Sequence, residues 1–509
     1  MATETELKLA TRPADLPALR HALTAMAGTG SFRRSHLVST YYETEDRALA
    51  RMGVVLRVRE QDGRFMQTVK SLPTGGAALA RGEWEDPIAT GNPDPHAPRS
   101  GHFLTGEIAG RLEPVFRTIV QRDQVELLPS PGTRIEAAVD RGEIRPCGGQ
   151  RGRRIGEIEL ELKSGDVAAL FDVALKLLDA SPLRIELASK SARGYELTNG
   201  VPTALDAVRF VPVKLDAGLS AEAALRRVGG ACLDQVMRNE AAVLTGRAEA
   251  VHQMRVAIRR LRTALSSFRK LLPKQERRWA SAELRWLANK LGEARNLDVF
   301  KSALIVPAKE ALAGKIDTRP LERAVARRRR TAHAAIRDAL HSMRYTELIL
   351  RLLRRFESLE QRHAGDRYGV LRPIGEIAPA MLDRRRRAVE RRRKGFAGQS
   401  ARKQHALRLA LKKLRYTTDL FVGLYAANQT GRYIGRLKHL QDDLGSANDV
   451  HVGERLVGEL ARQARQGGST VADAGEQVLA WHKHRLAKRQ KKIGAGLRRL
   501  HDGKPFWRE

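Results

Sequence analysis

Several short strings in the first 200 residues carry ionisable groups on every second position. Glu4-x-Glu6-x-Lys8, Arg57-x-Arg59, Thr68-x-Lys70, Glu83-x-Glu85 and Glu157-x-Glu159-x-Glu161-x-Lys163 are of this kind. In extended backbone successive side chains point to opposite faces, so each string would show its charges on one face and its small or apolar residues on the other. Arg122 and Lys190 add isolated cations to the set. Glutamates arranged this way are hard oxygen ligands for divalent cations, while guanidinium and ammonium groups hold phosphate oxygens. Together they are the parts that phosphoryl transfer needs. A sheet open on one side would show the same charges to water, whereas a closed barrel would enclose them as an ionic tunnel.

From about residue 215 the period becomes helical. Met254, Ile258, Leu261, Leu265 and Phe268 form an apolar stripe, with His252, Arg255, Arg259 and Arg262 as a basic stripe beside it. The pattern returns 153 positions later, where His405, Arg408, Lys412 and Arg415 lie beside Leu407, Leu411, Leu414 and Phe421. Leu291-Gly292-Glu293-Ala294-Arg295-Asn296 and Leu444-Gly445-Ser446-Ala447-Asn448-Asp449 keep the same offset, which indicates an internal duplication. Cations stacked on a helix repel one another by about 0.2–0.5 kcal/mol per pair, a cost that an extended anion laid along them would offset. A solvated basic face, with the histidines bonded to carboxylates in a core, is the alternative these residues leave open.

The elements that must hold these groups fall into two classes. Period-two segments over 4–9, 55–59, 65–70, 81–85, 116–125, 134–144 and 157–163 predict antiparallel strands of a sandwich or barrel, interrupted by helices near Asp15 to Met26 and Val167 to Ala180. A junction is expected at 201–214, around Pro202 and Pro212. With 509 residues, 42% hydrophobic and 29% charged, the chain has material for more than one core. No apolar run reaches the roughly 20 residues of a spanning helix. The start of the chain lacks a basic region followed by an apolar stretch, so a cytoplasmic location is expected. Cys147 and Cys232 stand far apart and offer neither a disulfide framework nor a paired-cysteine zinc site.

The formal net charge is +34. Residues 1–200 hold 27 basic and 27 acidic groups, and the remainder hold 65 and 31, so the whole excess lies in the rear part. Such a field concentrates polyanions. Aromatics make up only 5% of the chain and no nucleic-acid motif is evident, which disfavours nucleic acid as a specific partner.

Taken in order, the strings above with Arg81, Arg122, Ser189-Lys190 and Arg193-Gly194-Tyr195 resemble the CYTH family of triphosphate tunnel metalloenzymes over about residues 1–200. The helix from His252 to Arg262, with its copy from His405 to Arg415, resembles the CHAD family over about 215–509, and the resemblance takes in the terminal Lys504-Pro505-Phe506-Trp507. The second copy departs from the first at Asn448, opposite Arg295, and at His451, opposite Asp298. The resemblance implies an α+β chain of two domains: an N-terminal antiparallel barrel of eight strands with flanking helices over 1–200, and, after a linker at 201–214, an all-α domain of two duplicated helical bundles over 215–365 and 366–509. It implies Lys8, Arg57, Arg59, Lys70, Arg122, Lys190 and Arg193 on phosphate oxygens. Glu4, Glu6, Glu159 and Glu161 would hold Mg²⁺ or Mn²⁺, and Lys8 or a neighbouring glutamate such as Glu6 would orient the attacking water. It further implies inorganic polyphosphate on His252, Arg255, Arg259, Arg262, His405, Arg408, Lys412 and Arg415. The expected reaction is metal-dependent hydrolysis of tripolyphosphate to pyrophosphate and phosphate, with the helical domain binding polyphosphate or directing the protein to polyphosphate granules. A non-catalytic polyphosphate-binding protein, or a triphosphatase for an organic substrate such as thiamine triphosphate, are the alternatives.

Overall fold

The computed structural model describes residues 5–71, 82–149, 151–198, 206–358, 372–464, 468–487 and 490–508. Glu4 and Arg81 lie outside them. The chain divides into two compact units, Met1–Asp206 with His341–Ser358, and Ala207–Leu340 with Leu359–Glu509. The strands are β1 (Thr5–Ala10), β2 (Arg33–Glu43), β3 (Val54–Gln61), β4 (Arg64–Ser71), β5 (Glu83–Ile88), β6 (Glu113–Ser130), β7 (Thr133–Pro146), β8 (Arg153–Ser164) and β9 (Arg184–Ile185). Helices of eight or more residues are numbered along the chain: α1 (Leu16–Ala27), α2 (Ala168–Ala180), α3 (Lys190–Thr198), α4 (Ala221–Arg238), α5 (Ala248–Ser267), α6 (Lys274–Val299) and α7 (Arg319–Leu340). After them come α8 (Met343–Glu357), α9 (Ile374–Arg393), α10 (Ala401–Phe421), α11 (Ala427–Gln463), α12 (Gly468–Ala487) and α13 (Gln490–Asp502).

In the first unit all nine strands form one antiparallel sheet in the order β5-β4-β3-β2-β6-β7-β8-β1-β9. The expected closed barrel of eight strands is therefore corrected to an open sheet, since the end strands β5 and β9 do not pair with each other among the described residues. The two residues of β9 pair with β1, Leu9 opposite Ile185 and Ala10 opposite Arg184, and α3 begins at Lys190, so little edge is left for a further strand. Strand alternation sends Leu7, Leu9, Ile158 and Leu160 to one face, where α1 and α2 cover them with Leu16, Leu19, Leu23, Leu170, Phe171 and Leu177. Leu350 of α8 is fully buried in this same cluster. The opposite face keeps the charged partners of those strands, Glu6, Lys8, Glu157, Glu159 and Glu161.

The helices read near 15–26 and 167–180 form as α1 and α2. Strand β2 and helix α3 were not legible. β2 lies between β3 and β6, and its buried face mixes polar Ser35 and Ser39 with Leu37 and Tyr41 while the other face mixes His36 and Thr40 with Val38, so its sequence shows no polar–apolar alternation.

In the second unit α5 packs on α4 and α6, α10 packs on α9 and α11, and α5 meets α10. The two apolar stripes are core: Met254, Ile258, Leu261, Phe268, Leu407, Leu411, Leu414 and Phe421 have no exposed surface, and Leu265 is buried. Phe268 and Phe421 face one another with ring centroids 5.8 Å apart. Phe506 and Trp507 are buried against Tyr433, and the Trp507 indole N–H donates to Asp383 Oδ1 at 2.9 Å.

Close approach requires glycine at position 194 in the first unit. A Cβ on Gly194 of α3 would lie 2.1 Å from the ring of Phe116, which itself stacks on Tyr41 at 4.5 Å. Gly194→Ala should therefore overpack this contact and cost about 1–3 kcal/mol. Denaturant unfolding followed on the first unit is expected to show a lowered midpoint, and an unchanged midpoint would mean that Phe116 moves aside freely.

Candidate active site and basic helical face

The charged face of the sheet is organised in rows that run across the strands. Directly opposed residues share a face, so register alone sets neighbours about 4.5–5.5 Å apart at Cβ. One row reads Glu6, Glu161 and Glu136 across β1, β8 and β7. The next places Lys8 opposite Glu159. A third reads Glu157, Asp140, Arg122 and Ser35 across β8, β7, β6 and β2. On the far side Arg57 lies opposite Thr68, and Thr68 opposite Glu85, while Lys70 lies opposite Glu83. The sheet curls so that these rows enclose one cavity of about 780 Å³.

At the floor of the cavity Arg122 binds Asp140 with two N–H groups, Nε to Oδ1 at 2.7 Å and Nη2 to Oδ2 at 2.6 Å, and also contacts Glu159. Lys190, from the first turn of α3, reaches Asp140 at 2.7 Å and Glu159 at 3.0 Å and pairs with Glu157. Arg193, one turn further along α3, pairs with Glu157 from behind. Asp140 and Glu157 have no exposed surface. Burial opposes ionisation of Glu159, but Lys190, Arg122 and Lys8 outweigh it and hold its pKa well below the usual carboxylate range. Burial likewise opposes the charge on Lys190, and Glu159, Asp140 and Glu157 overcome it and raise its pKa. On the other wall Lys70 meets Glu83 at 2.7 Å, and Arg57 lies 3.5 Å from Glu83 and 3.6 Å from Glu85. Among the described residues Arg59 has no such partner: the neighbouring Arg57, then burial and Arg122, lower its pKa to about 10. The Nε–H groups of Arg57 and Arg59 are both buried without a hydrogen-bond partner among the described residues, which is costly unless an acceptor enters the cavity.

The carboxylates test the site for a divalent cation. Asp140, Glu157 and Glu159 are the acidic group whose oxygens converge within 4.8 Å among the described residues. Asp140 and Glu157 are already neutralised by Lys190, Arg122 and Arg193, so they serve chiefly to hold those cations. Glu6, Glu159 and Glu161 line the cavity itself, with Glu136 beside them in register. All are hard oxygen donors, a set that suits a hard divalent cation rather than a softer ion.

Of the residues expected from sequence, Glu6, Lys8, Arg57, Arg59, Lys70, Arg122, Glu159, Glu161 and Lys190 all line this one cavity. Arg193 does not: it is buried behind Lys190 against Glu157. Glu4 lies outside the described residues. The sequence reading missed the roles of Asp140 and Glu136 on β7, although Arg134-x-Glu136-x-x-x-Asp140 shows the same alternation as the strings that were singled out. It counted Glu83, Glu85 and Glu157 among the tunnel charges but gave them no individual role.

The helical unit shows the opposite electrostatics. His252, Arg255 and Arg259 from α5 share one field with Arg408 and Lys412 from α10, and cation acts on cation. Burial, then Arg259 and Arg408, lowers the Lys412 pKa to about 6, with Asp449 of α11 the opposing carboxylate. Burial, then Arg295, lowers His252 to about 4. Burial, with Arg259 and Arg295, lowers Arg255 to about 10. Arg262 joins this field through Arg285 and Arg259. Two expected members stand apart: His405 is exposed with its Nδ1 3.2 Å from Asn448 Oδ1, and Arg415 turns to Asp419 at 3.9 Å and to the Tyr416 ring. Arg285 and Arg295 of α6 are additions that the stripes alone did not reveal.

Residues 2–195 match the CYTH domain family, and residues 227–458 match the CHAD domain family. The chain joins a CYTH domain to a CHAD domain. An inorganic triphosphatase of Haemophilus influenzae is 32% identical over 205 residues, which are 39% of this chain and 55% of that protein, so the match spans about half the length of the relative. The crystal structure of a CHAD domain from the plant Ricinus communis is similar at 30% identity with a TM-score of 0.51, covering 59% of this chain and 98% of that one. HpAC1 of Hippeastrum, with a dominant triphosphatase activity, is 19% identical with a TM-score of 0.28, covering 38% of this chain and 95% of its own.

The ion network of the CYTH domain sets its response to pH. Glu159 ionises more readily folded than unfolded, so its contribution is present above the unfolded value of about 4.3 and lost as pH falls through the lower folded one. Lys190 has the reverse sign, its contribution complete below about 10.4 and lost only as pH rises through a still higher folded value. Lys190→Met removes the strongest partner of Glu159 and is expected to move acid unfolding of the CYTH domain to higher pH. An unmoved acid midpoint, followed by circular dichroism, would contradict this account of the network.

Proposed function

We propose that the CYTH domain hydrolyses inorganic tripolyphosphate to pyrophosphate and phosphate with Mg²⁺ or Mn²⁺, and that the basic face of the CHAD domain binds inorganic polyphosphate. The reading is carried by one observation, a single cavity lined by Lys8, Arg57, Arg59, Lys70, Arg122 and Lys190 on the cationic side and Glu6, Glu159 and Glu161 on the acidic side. The likeness to an inorganic triphosphatase supports it. Arg57 and Arg59 would take phosphate oxygens with the N–H groups that lack partners, and Lys190 and Arg122, already oriented by Asp140, would take those of the phosphoryl group being transferred. Glu6, Glu159 and Glu161 would hold the divalent cation, which, when bound, withdraws charge from the phosphoryl oxygens and the leaving group. Lys8, bonded to Glu6 and 3.8 Å from Glu159, would orient a water whose oxygen forms the new bond to the terminal phosphorus as the bond to the bridging oxygen breaks. Glu6 takes the proton of that water, and pyrophosphate leaves with the electron pair.

Phosphate release from tripolyphosphate by the full chain, with Mg²⁺ or Mn²⁺ and with chelator, tests this directly. Release should need the metal and fall on the order of 10²-fold in Glu6→Gln. No release by folded protein under either metal would overturn the reading, and faster release from thiamine triphosphate would redirect it to an organic substrate.

The CHAD domain's cations support polyphosphate as its ligand because they crowd with few carboxylates among them, a state that a chain of phosphates relieves. The same binding would hold the protein at polyphosphate granules in the cytoplasm. An anion on this face stabilises protonated Lys412, whose pKa starts at about 6, so binding should take up protons and tighten as pH falls from 8 to 6. Calorimetric titration with long-chain polyphosphate in buffers of different ionisation enthalpy measures that uptake. Lys412→Met should flatten the pH dependence, and an equal dependence in the variant would contradict the role of Lys412.

A further inference from the structure

The segment that leads from β9 into α3 carries Lys190, yet its own secondary structure gives it little support. β9 contributes only two residues to the sheet edge. The Glu186 amide donates to the carbonyl of Lys8 at 2.9 Å, and the Glu186 side chain caps the Ala188 amide at 2.8 Å. Ser189 then opens α3, its hydroxyl accepting from the Ala192 amide at 3.1 Å. Leu187, Ala188, Ser189 and Lys190 form part of the cavity wall. One strut therefore ties together the backbone of Lys8 and the side chain of Lys190.

The strut is held at its start by α8, which lies more than 150 residues further along the sequence and within the stretch that matches the CHAD family. The Thr346 hydroxyl donates to the carbonyl of Leu183 at 2.7 Å, and both residues are about 2% exposed. Nearby, Leu350 fills the core beside Leu170 and Leu177, with Leu353 packed against it, and Arg354 pairs with Asp172 of α2. A carbonyl this deeply buried would be orphaned without the hydroxyl, and the strand after it is too short to hold its own register.

We propose that Thr346 is a positioning residue for the phosphate-binding cavity: through the Leu183 carbonyl it fixes the strut that aims Lys190. The proposal rests on the reading of the cavity as a tripolyphosphate site only for its activity readout. The CYTH domain is thus completed by a helix that the CHAD stretch of the sequence supplies.

The test uses the full chain. Thr346→Val keeps the shape and removes the donor, and Thr346→Ser keeps the donor. Native-state hydrogen exchange should show faster exchange at the Arg184 and Glu186 amides, which face β1, in Thr346→Val, with β6 and β7 unchanged, and near wild-type exchange in Thr346→Ser. Unchanged exchange at those amides in Thr346→Val would overturn the proposal whether or not the protein is a triphosphatase. In the hydrolysis assay Thr346→Val should lower kcat/KM for tripolyphosphate about tenfold and Thr346→Ser less than about twofold. In a Lys190→Met background Thr346→Val should add almost nothing, because a residue that acts through Lys190 has nothing left to position. An independent, additive loss in that background would make Thr346 merely structural. If Thr346→Val fails to fold, the paired Thr346→Ala and Thr346→Ser chains carry the same comparison. Absence of hydrolysis by the wild type would overturn the functional reading and leave the exchange result to decide the positioning role.

Discussion

The CYTH domain depends on the mutual neutralisation of Asp140, Glu157 and Glu159 by Lys190, Arg122 and Arg193. Taking any one of these ions out of water costs several kcal/mol, and only close pairing offsets that cost. The sheet supplies the geometry: Glu157, Asp140 and Arg122 lie in one row across three strands, and α3 brings Lys190 and Arg193 to it from consecutive turns. The approach of α3 in turn requires the missing Cβ at Gly194, which lets the helix pass against Phe116. Lys190 and Arg122 are thereby held rigidly, with their charge presented to the cavity before any anion arrives. Such preorganisation is the usual source of electrostatic stabilisation in phosphoryl transfer.

The CHAD domain handles charge in the opposite way. Burial, then Arg295 and Arg259, lowers the proton affinity of His252 and Arg255, and burial with Arg259 lowers that of Arg408 and Lys412 against the opposing Asp449. The CYTH cavity has its counter-ions built in. The CHAD face has few of its own among the described residues, which suits the long anion proposed for it, held by summed attraction and sensitive to salt and pH. Two opposite arrangements of cations thus sit on one chain.

Much of this was legible before the structure because strand alternation and helical stripes are local patterns. Glu6, Lys8, Arg57, Arg59, Lys70, Arg122, Glu159, Glu161 and Lys190 converge as their spacing and order implied. The open sheet was not legible, because closure depends on whether two distant edges meet. Asp140 escaped notice because a carboxylate whose task is to hold two cations looks, in sequence, like any other charged strand residue. Arg193 was expected on phosphate and instead braces Glu157, a distinction set by which side of α3 faces the cavity. Helix α8 could not have been assigned, since its stretch of sequence reads as part of a helical bundle while Leu350 enters the core of the first unit, to which α8 belongs.

If buried carboxylates build the proposed anion site, the effect of removing one is opposite in sign to what charge counting gives. Tripolyphosphate binding to the full chain in chelator, measured by calorimetry for wild type and Asp140→Asn, separates the two. Removing a negative charge from a phosphate site should tighten binding if attraction alone matters. Binding should instead weaken, by about tenfold or more, because Lys190 and Arg122 lose the group that aims them. Equal or tighter binding by a folded Asp140→Asn chain would contradict it.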